Sequence, residues 1–300
     1  MNSEVSVFEG SALGVGQRLV DFLMLTKPRL LSMVLLTTLV GFYLASPDSF
    51  DLILALATIS ATALAAGGVL ALNQYLERDS DARMTRTCHR PIASGKVQPR
   101  EALAYATGTL CAGTLFLLLA VNWMTAAIIG IIAVLYLGAY TPLKRTSWSC
   151  NLVGAISGAL PPVLGWVAAR DSLGVEPLVL FAMMFLWQLP HALAIGELYY
   201  RDYLGVGLHL FPAGEARVRF GNWIIVTASA ALVMVSALPA TLGYAGRAYM
   251  VLAVGLAMLM LGNAMVLLWR PATAARVRRV VFASLVYLPV RFLALIFDRL

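Results

Sequence analysis

Residues 52–91 read LILALATISATALAAGGVLALNQYLERDSDARMTRTCHRP, a long uncharged run followed by the most charged segment of the chain. The last nineteen of these residues hold three carboxylates and four arginines. On a helix Asn73, Glu77 and Asp81 lie at i, i+4 and i+8 and share one face, whereas Asp79 points to another side. We call Asn73, Glu77 and Asp81 the oxygen stripe.

Oxygen ligands at this spacing suit a hard divalent cation. Mg²⁺ in particular binds few carboxylates and completes its shell with water and substrate phosphate. We therefore expect the oxygen stripe to bind Mg²⁺. The arginines that follow it, Arg86 and Arg90, suit the oxygens of a phosphate group.

The composition indicates a membrane protein. The chain is 60% hydrophobic and 12% charged, with a mean hydropathy of +0.83, whereas soluble domains have about 25% charged residues. Continuous apolar runs predict an all-α polytopic protein, since barrel strands would alternate. About nine transmembrane helices are predicted, over residues 29–47, 52–76, 102–120, 123–141, 151–169, 177–198, 222–243, 248–268 and 280–297. The three cysteines have no CxxC spacing, so no zinc site is indicated.

The basic residues are unevenly distributed over the two sides of these spans. All but four of the 22 Lys and Arg lie on the side of the N-terminus, which the positive-inside rule places in the cytoplasm. The four exceptions are Arg170, Arg247, Arg291 and Arg299. This asymmetry accounts for the net charge of +7, so no nucleic-acid partner is expected. We expect residues 1–28 to form a cytoplasmic arm and residues 29–300 to form a single transmembrane domain.

Three blocks of sequence resemble one known family. The stripe and the Arg-Thr-x-x-Arg-Pro run over residues 86–91 resemble the first aspartate-rich motif of the UbiA-type intramembrane prenyltransferases. Residues 140–166 resemble the haem O synthases, the protohaem IX farnesyltransferases, within that superfamily. So do Trp187-Gln-Leu-Pro-His191 and Arg201-Asp202-Tyr203. The sequence departs from the family at Glu77, where aspartate is usual, and in a thin second acidic region.

The resemblance implies a UbiA-like bundle in the bacterial inner membrane, with the active site facing the cytoplasm. It implies transfer of a farnesyl group from farnesyl diphosphate to the 2-vinyl group of haem B, giving haem O and diphosphate. Mg²⁺ is the implied cofactor. The implied partners are farnesyl diphosphate, haem B, the lipid bilayer, and a downstream haem A synthase or haem–copper oxidase assembly proteins.

The resemblance also implies roles for individual residues. The predicted metal ligands are Asn73, Glu77, Asp81 and Asp202, for one or two ions; the predicted diphosphate-binding residues are Arg86, Arg90, Lys144 and Arg201; and the predicted catalytic residues are His191, Lys144 and Tyr140. Tyr140 and Lys144 stand at i and i+4, so a phenol and a cation can reach one phosphate. Interfacial anchoring explains that pair equally well.

His191 lies inside a predicted span, where an ionisable group is costly and tends to mark function. It could be a base, an axial iron ligand or a structural residue. If the helix continued, His191 and Asp202 would lie about 16 Å apart on one face. Two other functions stay open. A prenyltransferase acting on a quinone precursor should have a fuller second acidic motif, and a transporter should place its carboxylates near the bilayer midplane.

Overall fold

The computed structural model describes residues 14–46, 49–214, 216–270 and 273–299, and this part of the protein is almost entirely helical. The only isolated β-bridge in the described part joins Ala245 and Arg299. The predicted all-α fold is therefore confirmed. Residues 1–13 of the predicted arm lie outside the described residues, as do residue 47 of the first predicted span and residue 300.

The described part of the chain folds into a series of helices. In chain order they are α1 (Val15–Leu25), α2 (Pro28–Ala45), α3 (Leu52–Asp81), α4 (Pro99–Ala120), α5 (Trp123–Ala133), a π-helical segment (Val134–Tyr140), α6 (Thr141–Leu143), α7 (Cys150–Ala159), α8 (Pro161–Arg170), α9 (Val175–Leu198), α10 (Tyr200–Gly205), α11 (Arg217–Thr241), α12 (Arg247–Trp269) and α13 (Ala274–Phe297). In the described chain, nine segments are long and apolar enough to cross a membrane, which confirms the predicted number.

Two of the nine spans are composed of shorter pieces. The span Trp123–Leu143 joins α5, the π-helical segment and α6, and the span Cys150–Arg170 joins α7 and α8. Pro161 and Pro162 at the start of α8 lack the N–H groups that a continuous helix would need there. Sequence patterns gave the lengths of these spans but not their internal breaks.

Helix α3 extends beyond its predicted end at residue 76 and finishes at Asp81. Asp51 caps its N-terminus by accepting a hydrogen bond of 2.9 Å from the Leu54 N–H. A helix of 30 residues is about 45 Å long, and a bilayer core is about 30 Å thick. The last turns of α3 can therefore carry polar side chains at or beyond one edge of the apolar core.

Small residues let α3 and α4 approach closely. A Cβ added at Gly68 would lie 2.5 Å from the Leu110 nitrogen and 2.7 Å from the Ala106 oxygen. A Cβ at Gly113 would lie 2.7 Å from the Ala61 oxygen on the other side of the contact. Close backbone packing at glycines is a common way for membrane helices to associate. This contact fixes the lateral position of α3.

Helices α9, α11, α12 and α13 form the other half of the bundle. The Ser236 and Tyr287 hydroxyls are 2.6 Å apart and join α11 to α13. The Trp187 indole nitrogen donates to the Ser284 carbonyl oxygen at 2.7 Å and joins α9 to α13. The middle of α9 is therefore held against the middle of α13.

The contact between α2 and α8 provides a test of this packing. An added Cβ at Gly165 would collide with the Thr38 carbonyl oxygen, so we expect Gly165→Ala to lower the free energy of unfolding by about 1–3 kcal/mol. Denaturant or thermal unfolding in detergent micelles measures the loss. Gly262→Ala is the matched control, because nothing lies within 4 Å of its added Cβ and alanine favours helix. Equal stability of the two variants would contradict the described packing.

Candidate active site

The oxygen stripe lies in the last turns of α3 and faces the interior. Asn73, Glu77 and Asp81 each expose at most 8% of their surface, whereas the Asp79 side chain is 76% exposed. The helical period thus separates the three stripe residues from Asp79. The role of the three as metal ligands stays a prediction.

Each stripe residue is paired with a basic side chain. Lys144 Nζ lies 2.7 Å from Glu77 Oε1, and both side chains are 10% exposed. Arg90 Nη1 donates to both Asp81 carboxylate oxygens, at 2.7 and 2.6 Å. A third basic side chain completes the set, since Lys27 Nζ donates to Asn73 Oδ1 at 2.5 Å. Three basic side chains therefore surround three oxygen-bearing side chains.

Lys27 was not predicted as a site residue. It lies between α1 and α2 with φ of 50°, a left-handed conformation that is uncommon outside glycine. Gln74 holds this turn beside the stripe by donating to the carbonyl oxygens of Met24 and Leu25, both at 2.9 Å. Burial, together with the nearby charge of Arg90, lowers the pKa of Lys27 to about 7. The only sequence feature that could have indicated a role in the site was the position of Lys27 beside Pro28, just before the first span.

Lys144 is brought to the stripe by the π-helical segment and α6. The Thr141 N–H donates to the Tyr136 carbonyl oxygen, five residues back, and Pro142 has no N–H to resume a regular α-helix at once. Lys144 Nζ lies 4.3 Å from the centre of the Tyr140 ring. Burial by itself lowers the pKa of Lys144, but Tyr140 and Glu77 outweigh burial and raise that pKa above its usual value. The surroundings of Lys144 therefore favour its charged form.

Thr141 is a second residue that sequence reasoning missed. The Asn73 amide nitrogen donates to Thr141 Oγ1 at 3.0 Å. Thr141 Oγ1 in turn donates to the Tyr136 carbonyl oxygen at 2.8 Å. Asn73 is thereby oriented with its carbonyl oxygen toward Lys27. No local pattern around Thr141 pointed to this role.

Arg86 lies at the same end of the bundle but contacts a different element. Its Nη2 donates to the Tyr203 hydroxyl at 2.7 Å. Its guanidinium also lies over the rings of Tyr199 and Tyr203, at 5.2 and 5.5 Å. The predicted diphosphate-binding residues are thus divided, since Arg90 and Lys144 contact the stripe and Arg86 contacts Tyr199 and Tyr203 at α10.

The second acidic region does not join the stripe in this structure. Asp202 and Arg201 are exposed on α10, and neither side chain makes a hydrogen bond or ion pair with a described residue. Helix α9 ends at Leu198, as the predicted span did, because Tyr199 leaves helical geometry, with φ of −110° and ψ of 22°, and separates α9 from α10. The distance of about 16 Å, which assumed a continuous helix, therefore does not apply. The roles of Asp202 and Arg201 stay predictions.

The three sequence blocks nevertheless meet at one end of the protein. The Arg86–Tyr203 hydrogen bond joins the first block to the third. The His209 N–H donates to the Lys144 carbonyl oxygen at 2.6 Å, and Asn151 Nδ2 donates to the Leu210 carbonyl oxygen at 2.9 Å. These two hydrogen bonds join the second block to the loop that follows the third.

His191 lies deeper in the bundle, in the middle of α9. Its Nδ1 lies 2.8 Å from the Ser284 hydroxyl, and its ring stacks on Trp187 with centroids 5.1 Å apart. Trp187 is itself held to α13 through the Ser284 carbonyl. The orientation of the imidazole is therefore fixed, and Nε2 makes no hydrogen bond to a described residue.

The stripe has the donor chemistry that Mg²⁺ requires. Its amide and carboxylate oxygens already accept hydrogen bonds from basic side chains at 2.5–2.7 Å. Among the described residues no three His, Cys, Asp or Glu cluster as a metal site, so the site would contain two carboxylates and one amide. Mg²⁺ accepts such a partial set, because it retains water or takes phosphate oxygens as its other ligands. The residues present therefore fit the ion.

Residues 34–286 match the UbiA prenyltransferase family. The chain is 39% identical over 290 residues to a protohaem IX farnesyltransferase from Solibacter usitatus, covering 93% of this chain and 98% of the relative. It is 41% identical over 285 residues to one from Opitutus terrae, covering 93% and 95%.

Solved structures share the fold. A digeranylgeranylglyceryl phosphate synthase superposes with a TM-score of 0.79 at 18% identity, over 94% of this chain and 98% of that one. A UbiA homologue from Archaeoglobus fulgidus, bound to GPP and Mg²⁺, gives a TM-score of 0.61 at 16% identity, over 92% and 99%.

The buried ion pair in the site can be tested by a double-mutant cycle. We expect Lys144→Met to lower the free energy of unfolding by about 3–5 kcal/mol, because the Glu77 carboxylate stays buried without this partner. Adding Glu77→Gln to that variant should recover most of the loss. Unfolding in detergent micelles gives the coupling energy.

The exposed pair between Arg18 and Glu101, 2.6 Å apart, is the matched control for the cycle. Its coupling energy should not exceed about 1 kcal/mol, because solvent screens exposed charges. If the coupling energy of Lys144 and Glu77 is no larger than that of the exposed pair, the described burial of Lys144 and Glu77 is wrong.

Proposed function

The chain belongs to the UbiA prenyltransferase family, and from that premise we propose that it transfers the farnesyl group of farnesyl diphosphate to the 2-vinyl group of haem B. The products are haem O and diphosphate, with water supplying the hydroxyl group of the new side chain. The observation that carries the proposal is the likeness of nearly the whole chain to protohaem IX farnesyltransferases. The buried cluster of oxygens and cations at one end of the bundle supports the same chemistry.

The oxygen stripe is the proposed metal site. Mg²⁺ held by Asn73, Glu77 and Asp81 would neutralise charge on the diphosphate as the allylic C–O bond breaks. The stripe's cations, Lys144 and Arg90, would then donate hydrogen bonds to the diphosphate oxygens, for which their charge and donors are suited. Lys27 stands beside them and adds a third donor. Asp202 stays a predicted metal ligand, and Arg201 and Arg86 stay predicted diphosphate-binding residues.

His191 is the proposed catalytic residue on the haem side of the site. Its Nδ1 is occupied by Ser284, so Nε2 is the atom that would accept a proton from the attacking water or bind the haem iron. The packed indole of Trp187 on one face of the ring keeps bulk water from that side. Tyr140, stacked under Lys144, would orient that cation toward the leaving group.

We also propose that the stripe end of the bundle and the N-terminus face the cytoplasm of a bacterial cell, with residues 29–300 as one domain of the inner membrane. The excess of basic residues on that side supports this orientation. The added farnesyl chain would hold haem O in the bilayer. A haem A synthase or haem–copper oxidase assembly proteins would receive it there.

Variants of the stripe test the metal site. Asp81→Asn and Asn73→Ala should each lower haem O formation by at least about 100-fold, the scale for losing one group that stabilises developing charge. The assay is mass spectrometry of haem extracted from membranes of cells without their own haem O synthase. The exposed neighbour supplies the control, and Asp79→Asn should be fully active. Normal turnover by the wild type in thoroughly chelated membranes would refute the assignment.

A histidine variant tests the haem side. His191→Ala should lower haem O formed per folded molecule by at least about 100-fold, as for lost acid–base help, and leave farnesyl diphosphate binding unchanged. His89→Ala, at an exposed histidine, should have no effect. If His191 is purely structural, the His191→Ala variant would instead yield less folded protein, with a specific activity near normal.

A further inference from the structure

Arg291 is a charged residue that the proposed mechanism does not use. It lies in α13 and is completely buried, with 0% of its surface exposed. Its Nη1 contacts the Met183 sulfur at 2.6 Å, and its guanidinium lies 4.2 Å from the centre of the Phe292 ring. Its Nε and Nη2 are buried and have no hydrogen-bond partner among the described residues. The side chain is therefore incompletely satisfied.

Such a group needs an explanation, because a charged side chain inside a membrane protein is costly and usually marks a functional site. The Met183 thioether is only a weak acceptor, and a cation–π contact satisfies no N–H group. The two unsatisfied atoms, Nε and Nη2, lie on the same edge of the planar guanidinium. That edge is the one that binds a carboxylate through two parallel hydrogen bonds.

The surroundings of Arg291 contain further polar groups. The Tyr249 hydroxyl lies 3.6 Å from the same Met183 sulfur. Tyr287, one turn before Arg291, pairs its hydroxyl with that of Ser236. Met183 is unbranched and adaptable, so its side chain can turn aside for a ligand more easily than a branched one. A carboxylate would thus meet a guanidinium and nearby hydroxyl groups.

The contacts between α9 and α13 locate Arg291 relative to the proposed active site. Ser284 pairs with His191, and Arg291 contacts Met183, so α9 and α13 run antiparallel here. Along α13, Arg291 lies about 10 Å beyond Ser284. The loop that follows α9 contacts Arg86 at the stripe end. Arg291 therefore lies on the far side of His191 from the stripe.

A crevice lies near Arg291, toward the opposite end of the bundle from the stripe. It is lined in part by Leu180 of α9 and Leu295 of α13, each about one turn along its helix from Met183 or Arg291. Two arginines, Arg170 and Arg299, and one carboxylate, Glu176, also line it. An anionic group bound at Arg291 would therefore lie between the interior and a crevice whose charged side chains sum to a net positive charge.

We propose that Arg291 binds a propionate carboxylate of the haem substrate and so determines which edge of the macrocycle faces the prenyl donor. This inference rests on the proposed function. In haem B the vinyl groups and the propionates lie on opposite halves of the macrocycle. With a propionate at Arg291 and the iron near His191, the vinyl half points toward the stripe, where farnesyl diphosphate binds.

The experiment compares haem B with its dimethyl ester, which keeps the vinyl groups and iron but has no free carboxylate. Binding to purified full-length protein in lipid nanodiscs is followed by absorbance titration, and prenylation by mass spectrometry. The wild type should bind haem B about 10- to 100-fold more tightly than the diester, as expected for charge-assisted hydrogen bonds. Arg291→Gln should lose this preference by weakening haem B binding alone.

Two further variants separate recognition from structure. Arg291→Lys keeps the charge but not the two-pronged edge, so its preference should be intermediate. Arg278→Gln makes the same chemical change at an exposed position of α13 and should behave as the wild type. If Arg291→Gln does not fold, Arg291→Lys decides the question, because a preference for haem B that this variant keeps in full would overturn the inference.

The possible failures are distinguishable. A wild type that prenylates haem B and its diester equally well, with equal affinity, overturns the role of Arg291 and leaves the proposed function intact. A variant that weakens both ligands equally shows a structural role and also overturns the inference. A wild type that neither binds nor prenylates haem B overturns the proposed function itself.

Discussion

The buried ion pair between Lys144 and Glu77 is the interaction on which the rest of the site depends. It joins the end of α3 to the residue after α6, 67 positions later in the chain, where both side chains are almost inaccessible. Neither element can move away alone, because a buried charge without its partner costs several kcal/mol. The pairs of Asp81 with Arg90 and Asn73 with Lys27 add the first loop and the start of α2 to the same cluster.

The helical period was sufficient to predict which oxygen-bearing side chains share a face, because that depends only on spacing along α3. The partners of those side chains could not be predicted in the same way. Lys27 reaches Asn73 across 46 residues, and Arg86 reaches Tyr203 across 117. Such contacts follow from how the helices pack, so the sequence indicated basic residues without indicating which of them meet the stripe.

Hydropathy predicted nine spans correctly because a bilayer sets the length of an apolar helix. It could not locate the breaks within and after those spans. The π-helical segment depends on Pro142 and on Thr141 bonding back to Tyr136, and the end of α9 depends on the backbone of Tyr199. Arg291 shows a related limit, since the predicted span 280–297 placed it inside a helix but gave no sign that its side chain is completely buried.

The polar groups of the interior are arranged in a sequence that matches an elongated substrate with two different edges. Cations and oxygens gather at one end, and an imidazole follows whose Nε2 makes no hydrogen bond to a described residue. Beyond it lies a guanidinium with one edge that has no partner among the described residues. A small aromatic quinone precursor could use the first of these groups but would not span all three. A transporter would need its carboxylates near the middle of the bilayer, whereas those of the stripe are confined to one end. Haem B offers a vinyl half, a metal and an acidic half in that order, so it is the acceptor whose chemistry can engage every group along the path.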